Sequence, residues 1–262
     1  MNELGTHTRI RLDSDRLLHS SAAQRRSLAR SVHKIARPWP YLAFGCAGTH
    51  LHLSVKSDHR EAGELARRLE ISLQRRQDYG TPFLKVHRLP FRDQRHVFSS
   101  VLYDMRQREH HDLAADPFLE ATSAPDLLGA RLLGAHLIPR VGELVPELRR
   151  RHLLALYGID DLREAEVWDQ PADVIEAALA AFALADLRGS TIDVRNARQV
   201  VVYLLGAELS AREVASLVHC SLRTVERLRA VAPPHPAHLR AVRLQLDLRA
   251  RVNPGVDRGV VV

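Results

Sequence analysis

Cysteine is scarce in this sequence: the chain has two among 262 residues, Cys46 and Cys220. Two cysteines so far apart exclude a disulfide-stapled scaffold and fit a reducing compartment. Long apolar runs are missing as well, so we expect no membrane-spanning helix and no membrane partner. The opening stretch, "MNELGTHTRIRLDSD", lacks the apolar centre of a signal peptide. Together these absences predict a soluble, cytoplasmic protein.

Acidic residues are outnumbered by basic ones. The chain has 31 Asp and Glu against 38 Lys and Arg, which gives a formal net charge of +7. This balance favours a polyanionic partner, most simply nucleic acid, and predicts association with the nucleoid. Arginine greatly outnumbers lysine. Guanidinium groups bind phosphate in a bidentate manner, so this preference also fits DNA.

The first 111 residues alternate between strand and helix patterns. Apolar residues recur at every second position in four segments and at helical spacing in three. The predicted strands are 6–12, 41–48, 49–57 and 82–91, and the predicted helices are 21–36, 60–77 and 92–111. This β-α-β-β-α-β order, followed by a helix, is typical of a ferredoxin-like antiparallel sheet with helices on one face.

The second half of the chain shows helical patterns alone from about residue 144 onward. The fold class is therefore predicted as α+β: a sheet domain followed by an all-α domain. We place the sheet domain at 1–140, a helical connector at 141–170, the helical domain at 171–251 and a tail at 252–262.

Two histidines alternate with leucines in "THLHLSV" (49–55). In a strand His50 and His52 point to the same face and stand about 6.6 Å apart at their Cα atoms. Imidazoles at this spacing can converge on one metal ion. The alternative is that both are ordinary polar residues on the wet face of the sheet. Two ligands are too few for a site, so a third has to come from elsewhere.

The helix predicted at 92–111 offers further polar side chains. Its apolar stripe contains Val97, Val101 and Met105, and Tyr103 falls almost opposite the centre of that stripe. Gln107 lies one turn after Tyr103 on the same side. The pattern therefore argues against packing of Tyr103 on the core face of its own helix.

These two motifs resemble those of the HUH superfamily. "HLH" on a central strand looks like its metal-binding motif, and "YDMRQ" (103–107) is similar to the catalytic helix of the single-tyrosine HUH transposases. The resemblance covers roughly residues 5–135, and REP-associated tyrosine transposases are the subgroup it indicates. It identifies 1–140 as a bacterial transposase (nuclease) domain of the ferredoxin-like kind.

The resemblance implies a function in DNA transposition and recombination. Tyr103 would attack a phosphodiester of single-stranded DNA with hairpin structure, form a 5′-phosphotyrosine link and leave a free 3′-hydroxyl. His50, His52 and Gln107 would hold one divalent ion, Mg²⁺ or Mn²⁺, although ligand chemistry alone does not exclude Zn²⁺. A metal is needed because a phenol is a weak nucleophile at neutral pH. Such proteins act as monomers or homodimers, and the sequence does not decide between them.

Two departures keep other functions open. The asparagine-proline dipeptide that follows the tyrosine motif in many REP-associated relatives is absent, and "AGTH" stands where a proline-asparagine-histidine lead-in is common. The alternative is a domesticated, non-catalytic, sequence-specific DNA-binding regulator. A two-histidine RNA phosphoesterase is a third class, because "HLSV" (52–55) fits one of its motifs. Its second motif would be "HSSA" (19–22), which is wrongly placed for a strand.

Basic residues accompany the second helix and the last strand of the sheet domain. They could follow a DNA backbone, or they could form a solvated charged face. The candidates are Arg67, Arg68, Arg75, Arg76, Lys85 and Arg88. His7, Arg9 and Arg11 share one face of the first strand and border the same groove in this interpretation.

Residues 209–230 predict a helix-turn-helix, supported by a helix at 194–206. Ser210 and Ser221 are the expected N-caps, and the turn is "VHCS". The segment looks like the helix-turn-helix of sigma-like regions and of the bacterial replication initiator, which implies binding of double-stranded DNA in the major groove. The alternative is a plain helical hairpin. The outward residues expected to contact DNA are Arg223, Thr224, Arg227 and Arg229.

Overall fold

The computed structural model describes residues 4–76, 79–107, 116–168 and 170–252. These residues form four strands and eleven helices. The strands are β1 (Thr6–Arg11), β2 (Tyr41–Ala47), β3 (His50–Val55) and β4 (His87–Pro90). The first three helices are α1 (Ala22–Ala36), α2 (His59–Arg76) and α3 (Gln94–Met105). The remaining helices are α4 (Ala124–Leu127), α5 (Leu137–Leu144), α6 (Arg150–Ala155), α7 (Pro171–Ala181), α8 (Ile192–Leu205), α9 (Ala211–Leu217), α10 (Leu222–Ala230) and α11 (Pro236–Val252).

The four strands form one antiparallel sheet in the order β2-β3-β1-β4. This confirms the prediction of an α+β chain with an antiparallel sheet. On one face, Leu51, Leu53 and Val55 of β3 are fully buried together with apolar residues of α1 and α2. Burying each such side chain contributes about 1.5–3 kcal/mol to folding. This face is the principal core of the first half of the chain.

The helix α3 lies on the other face of the sheet, where it packs on β2 and β3. The two helices of the predicted β-α-β-β-α-β unit, α1 and α2, therefore share one face, whereas the helix that follows the unit, α3, packs on the other. The physical reason is the apolar stripe of α3, because Val97, Val101 and Met105 bury themselves with Leu42 and Ala43 of β2. Val141 and Leu153 belong to the same cluster, so part of the segment predicted as a connector, 141–170, contributes to this second core.

Two elements are shorter than the sequence indicates. The strand predicted at 82–91 forms a continuous ladder over His87–Pro90. Before it, Phe83 makes an isolated bridge with Leu12, and Leu84 donates a backbone hydrogen bond to Arg11. The helix predicted at 92–111 spans Gln94–Met105 and begins at the N-cap Asp93. Residues 108–111 of that prediction lie outside the described residues, as does most of the predicted tail.

Buried charges attach the helical second half to the sheet unit. Arg26 of α1 hydrogen-bonds Glu120 at 3.2 Å and also reaches Glu176 of α7, while Arg249 of α11 pairs with the same Glu120. Arg26, Glu120 and most of Arg249 are buried. Removing one partner of a buried pair leaves a charge without compensation, at a cost of about 3–5 kcal/mol. Four distant stretches of the chain are thus tied together by complementary charge.

The helices α9 and α10 follow each other after a four-residue turn. Ser210 and Ser221 cap them as expected, and Ser210 forms a capping box with Glu213. In the turn His219 adopts a left-handed conformation with φ of 51°. Arg198 of α8 donates to the carbonyl oxygens of Val218 and His219 at 3.0 and 3.1 Å. A guanidinium group from the supporting helix therefore holds the turn in place.

None of the helices in the described ranges is long and apolar enough to cross a membrane.

Candidate functional site

A polar cluster lies between α3 and the sheet, on the face opposite to α1 and α2. His52 of β3 points to this face because it alternates with the buried Leu51 and Leu53, and His7 of β1 points there because its pairing partner, Ser54, is two residues after His52. Tyr103 and Asp104 approach from α3. The two strands and the helix thus bring together residues that are far apart in the sequence.

The rings in this cluster are in contact with one another. The ring of His52 stacks on that of His7 with centroids 5.3 Å apart and meets the edge of the Tyr103 ring at 5.2 Å. His7 and Tyr103 are also in edge contact at 6.0 Å. The Nδ1 atom of His52 lies 3.3 Å from Nε2 of His7. The phenol is therefore fixed beside two imidazoles.

Asp104 is fully buried and accepts a hydrogen bond from Nε2 of His7 at 3.0 Å. Burial raises the pKa of the Asp104 carboxyl, and the opposing effect of the His7 ring beside it only reduces this rise. Burial would lower the pKa of His7, but the Asp104 carboxylate outweighs it and the His7 pKa lies above its ordinary value. The hydrogen bond between them is charge-assisted, which fixes the orientation of the His7 ring.

Gly45 allows α3 to approach the sheet this closely. It pairs with His52 in the ladder between β2 and β3. A Cβ atom at this position would overlap the carbonyl oxygen of Asp104 and would stand 2.6 Å from its carbonyl carbon. It would also lie 3.3 Å from Cγ of Gln107. The absence of a side chain at Gly45 is thus required for the present position of Asp104.

Three side chains of this cluster could hold a metal ion. The ligand atoms of His7, His52 and Asp104 all lie within 4.8 Å of one another. Imidazole and carboxylate are suitable donors for Mn²⁺ and Zn²⁺, and the carboxylate also for Mg²⁺. The structure therefore supports a possible metal site here, as the sequence predicts. Of the three residues whose ligand atoms converge, only His52 was among the predicted ligands.

Gln107, the predicted third ligand, is fully buried near the same place. Its Nε2 donates to the backbone oxygen of Tyr103 at 2.7 Å, which orients the amide. Its Oε1 is buried without a hydrogen-bond partner among the described residues. A buried amide oxygen without a hydrogen bond is suited to bind a cation as a ligand, since leaving it unsatisfied costs about 1–3 kcal/mol. The role of Gln107 as a ligand stays a prediction.

His50, the other predicted ligand, lies at the edge of the cluster. Its ring centroid is 4.7 Å from that of His52, and its Nδ1 is 3.1 Å from the hydroxyl of Thr49. It is half-buried and is not one of the three residues whose ligand atoms converge. The proposed ligand role of His50 therefore stays a prediction as well.

The sequence interpretation gave no metal role to His7 and overlooked Asp104. A signal for Asp104 was present, because it falls three residues after Val101 and seven after Val97, on the apolar stripe of α3. A carboxylate in such a stripe is a buried charge that needs a partner. The partner, His7, is 97 residues away in the chain, so no local pattern could identify it.

The basic residues predicted on α2 and near β4 do not lie beside the histidines. They are on the α2 side of the sheet, and several are already bonded. Arg67 and Arg68 pair with Glu64, at 3.1 and 2.8 Å, and these hydrogen bonds lower the pKa of Glu64 to about 2. The other bonded members of this set are Arg76, which donates to Ser27, and Arg88, which donates to the carbonyl of His59. The exposed remainder are Arg75 and Lys85.

On α10 the predicted DNA-contacting residues differ in availability. Arg223 and Arg227 are exposed. The hydroxyl of Thr224 is 2.9 Å from that of the N-cap Ser221, and Arg229 donates to the carbonyl of Leu209 at 2.6 Å. Leu222, the first residue of α10, is 41% exposed.

Comparison of the chain with protein-family models, with curated proteins and with solved structures gave no match in any of the three.

Proposed function

We propose that the protein is a metal-dependent DNA strand transferase that cuts single-stranded DNA with Tyr103. The observation that carries this proposal is the contact of the Tyr103 ring with His52 and His7, two members of a cluster that could hold a metal ion. The motifs that resemble the single-tyrosine HUH transposases contain the same tyrosine. The β-α-β-β-α-β order and the strand order β2-β3-β1-β4 support a ferredoxin-like assignment for this unit.

In the proposed reaction the phenolic oxygen of Tyr103 attacks the phosphorus of a phosphodiester. A bond forms between this oxygen and phosphorus while the bond from phosphorus to the 3′ oxygen breaks. The phenol loses its proton and the leaving 3′ oxygen gains one, so a 5′-phosphotyrosine and a free 3′-hydroxyl result. Attack by the 3′-hydroxyl of another strand reverses the step and completes the transfer.

The site residues contribute position and charge to this reaction. His52, Asp104 and His7 would hold a divalent ion, with the buried amide oxygen of Gln107 as a further donor. The bound ion supplies Lewis-acid stabilisation of negative charge on the phosphate oxygens. The packing of α3 on Gly45 fixes Tyr103 relative to both histidines. Such fixed geometry lowers the entropy lost on reaching the transition state.

The helical half of the chain is proposed to bind double-stranded DNA. The two capped helices α9 and α10, the turn clamped by Arg198 and the exposed Arg223 and Arg227 support a helix-turn-helix. The same observations favour the second candidate function, a regulator that binds specific DNA without cutting it. The two functions differ in whether Tyr103 forms a covalent bond to DNA.

Covalent capture of DNA tests this proposal. The protein is incubated with a library of single-stranded hairpin oligonucleotides, labelled at either end, with Mn²⁺, Mg²⁺ or EDTA. A 5′-phosphotyrosine predicts a metal-dependent adduct that carries the 3′ label and releases the 5′ label. Tyr103→Phe should abolish the adduct, and Tyr203→Phe, which changes a tyrosine 49% exposed on α8, should not. Binding of DNA without an adduct under any metal would leave the regulator.

A further inference from the structure

Among the described residues, no helix is seen to cover the β1–β4 half of the sheet face that carries the candidate site. The helix α3 packs chiefly on β2 and β3. Arg9, Arg11 and His87 are exposed there, and Leu89 is 37% exposed. An open, strongly basic strip therefore begins directly at the edge of the His7–His52 cluster.

The strand register fixes where these arginines stand. Arg9 pairs with His52 on one side and with His87 on the other, and Arg11 pairs with His50. Directly paired residues in an antiparallel ladder point to the same face. Both arginines therefore share the face of the candidate metal ligands.

Neither guanidinium group is neutralised within the part of the chain that the structure describes. No ion pair or side-chain hydrogen bond of Arg9 or Arg11 with a described residue is found, in contrast to Arg67 and Arg68 on α2, which share Glu64. Two arginines on the same face of one strand, with Cα atoms about 6.6 Å apart, suit neighbouring phosphates of an extended single strand. The charge of the strip is thus complementary to a polyanionic chain.

We propose that the β1–β4 half of this face binds the backbone of the single-stranded DNA that flanks the cleaved phosphodiester, through Arg9 and Arg11. The proposal rests on the proposed function for the position of the cleaved bond. It differs from the prediction made from the sequence, which gave the backbone contacts mainly to α2. Leu89 offers an apolar contact for a base beside the two arginines.

The test is the affinity of the full-length protein for a single-stranded oligonucleotide, measured by fluorescence anisotropy at several salt concentrations. All variants carry Tyr103→Phe, so that binding is measured without covalent capture. Arg9→Gln and Arg11→Gln should each weaken binding roughly threefold to tenfold, and each should reduce the slope of log affinity against log salt by about 0.7. Arg188→Gln is the control, because it removes an exposed arginine in the loop after α7.

Three outcomes would overturn the proposal: unchanged affinity in both variants, an equal loss in Arg188→Gln, or a loss seen with duplex DNA to the same extent as with single strands. Unchanged affinity would mean that other residues contact the DNA backbone. An equal loss in Arg188→Gln or with duplex DNA would mean that the variants act only through the net charge of the protein. The assay needs no cleavage, so failure of the covalent reaction and failure of this proposal are separable. If a protein with both Arg9→Gln and Arg11→Gln formed the adduct at the normal rate, this would contradict the role of the two arginines and leave the proposed cleavage by Tyr103 intact.

Discussion

Replacing Gly45 by alanine should disable the site while leaving all of its polar residues in place. The added Cβ would stand 2.6 Å from the carbonyl carbon of Asp104, whereas carbon atoms in contact are about 3.5–4.0 Å apart. The obstacle is backbone on both sides, so α3 has to retreat from β2 by roughly 1 Å or more. Such overpacking costs about 1–3 kcal/mol of stability.

The functional effect should exceed the effect on stability. A misplacement of about 1 Å in a reacting group reduces the rate by roughly a hundredfold, so Gly45→Ala should form the covalent adduct at least that much more slowly. The assay is adduct formation over time, together with urea unfolding of the same preparations. Gly142→Ala is the matched control, because its Cβ meets nothing within 4 Å on α5. We expect that control to be neutral or to gain up to about 1 kcal/mol. A Gly45→Ala protein with full stability and full adduct rate would refute the packing of α3 on β2.

Three further predictions concern pH, backbone conformation and metal. Burial, with a smaller effect from Arg25, lowers the pKa of His19 to about 4. Between about pH 6.5 and 4 the unfolded chain therefore binds a proton on His19 that the folded protein does not bind. The free energy of unfolding should fall by up to about 3 kcal/mol as the pH drops through this range. Urea midpoints across this range should show a smaller acid loss in His19→Gln, and an equal loss would contradict the assignment. His219→Gly relieves a left-handed φ of 51° at an exposed position and should raise the free energy of unfolding by up to about 1 kcal/mol. A lower melting temperature in this variant would contradict the left-handed conformation of the turn between α9 and α10. Mn²⁺ at about 100 times its Kd should stabilise the protein by about 2.7 kcal/mol. The melting temperature should rise with Mn²⁺ in the control Asp186→Asn, which changes an exposed carboxylate, and should not rise in Asp104→Asn. A rise in Asp104→Asn as well would exclude this carboxylate as a ligand.

The spacing of apolar residues was sufficient to predict the strands and the main helices: every second position for strands and helical spacing for helices. In β3 the leucines at every second position left no other face for the core, so His50 and His52 had to point away from it. The starts of α9 and α10 were predictable from another local signal, because Ser210 and Ser221 cap these helices. Local patterns of this kind carry their own physical cause.

The sequence could not predict which side chains converge across the sheet. The hydrogen bond between His7 and Asp104 joins the first strand to α3, and it depends on Gly45, which belongs to a third element. The arginines of α2 have a partner that net charge alone does not reveal. Charge alone indicated DNA contacts for Arg67 and Arg68, but Glu64 one turn earlier on the same helix engages both. The DNA contacts of Arg67 and Arg68 stay a prediction, whereas the pairing of His7 with Asp104 depends on tertiary placement.

The covalent bond between Tyr103 and DNA is the most direct test of the account. The wild-type protein is incubated with Mn²⁺ and the hairpin library, digested, and examined by mass spectrometry for peptides that carry a nucleotide 5′-phosphate. The account predicts this modification on Tyr103, with a free 3′-hydroxyl on the released fragment. A modification on another tyrosine, such as Tyr203, or bound DNA without any modified peptide would contradict it.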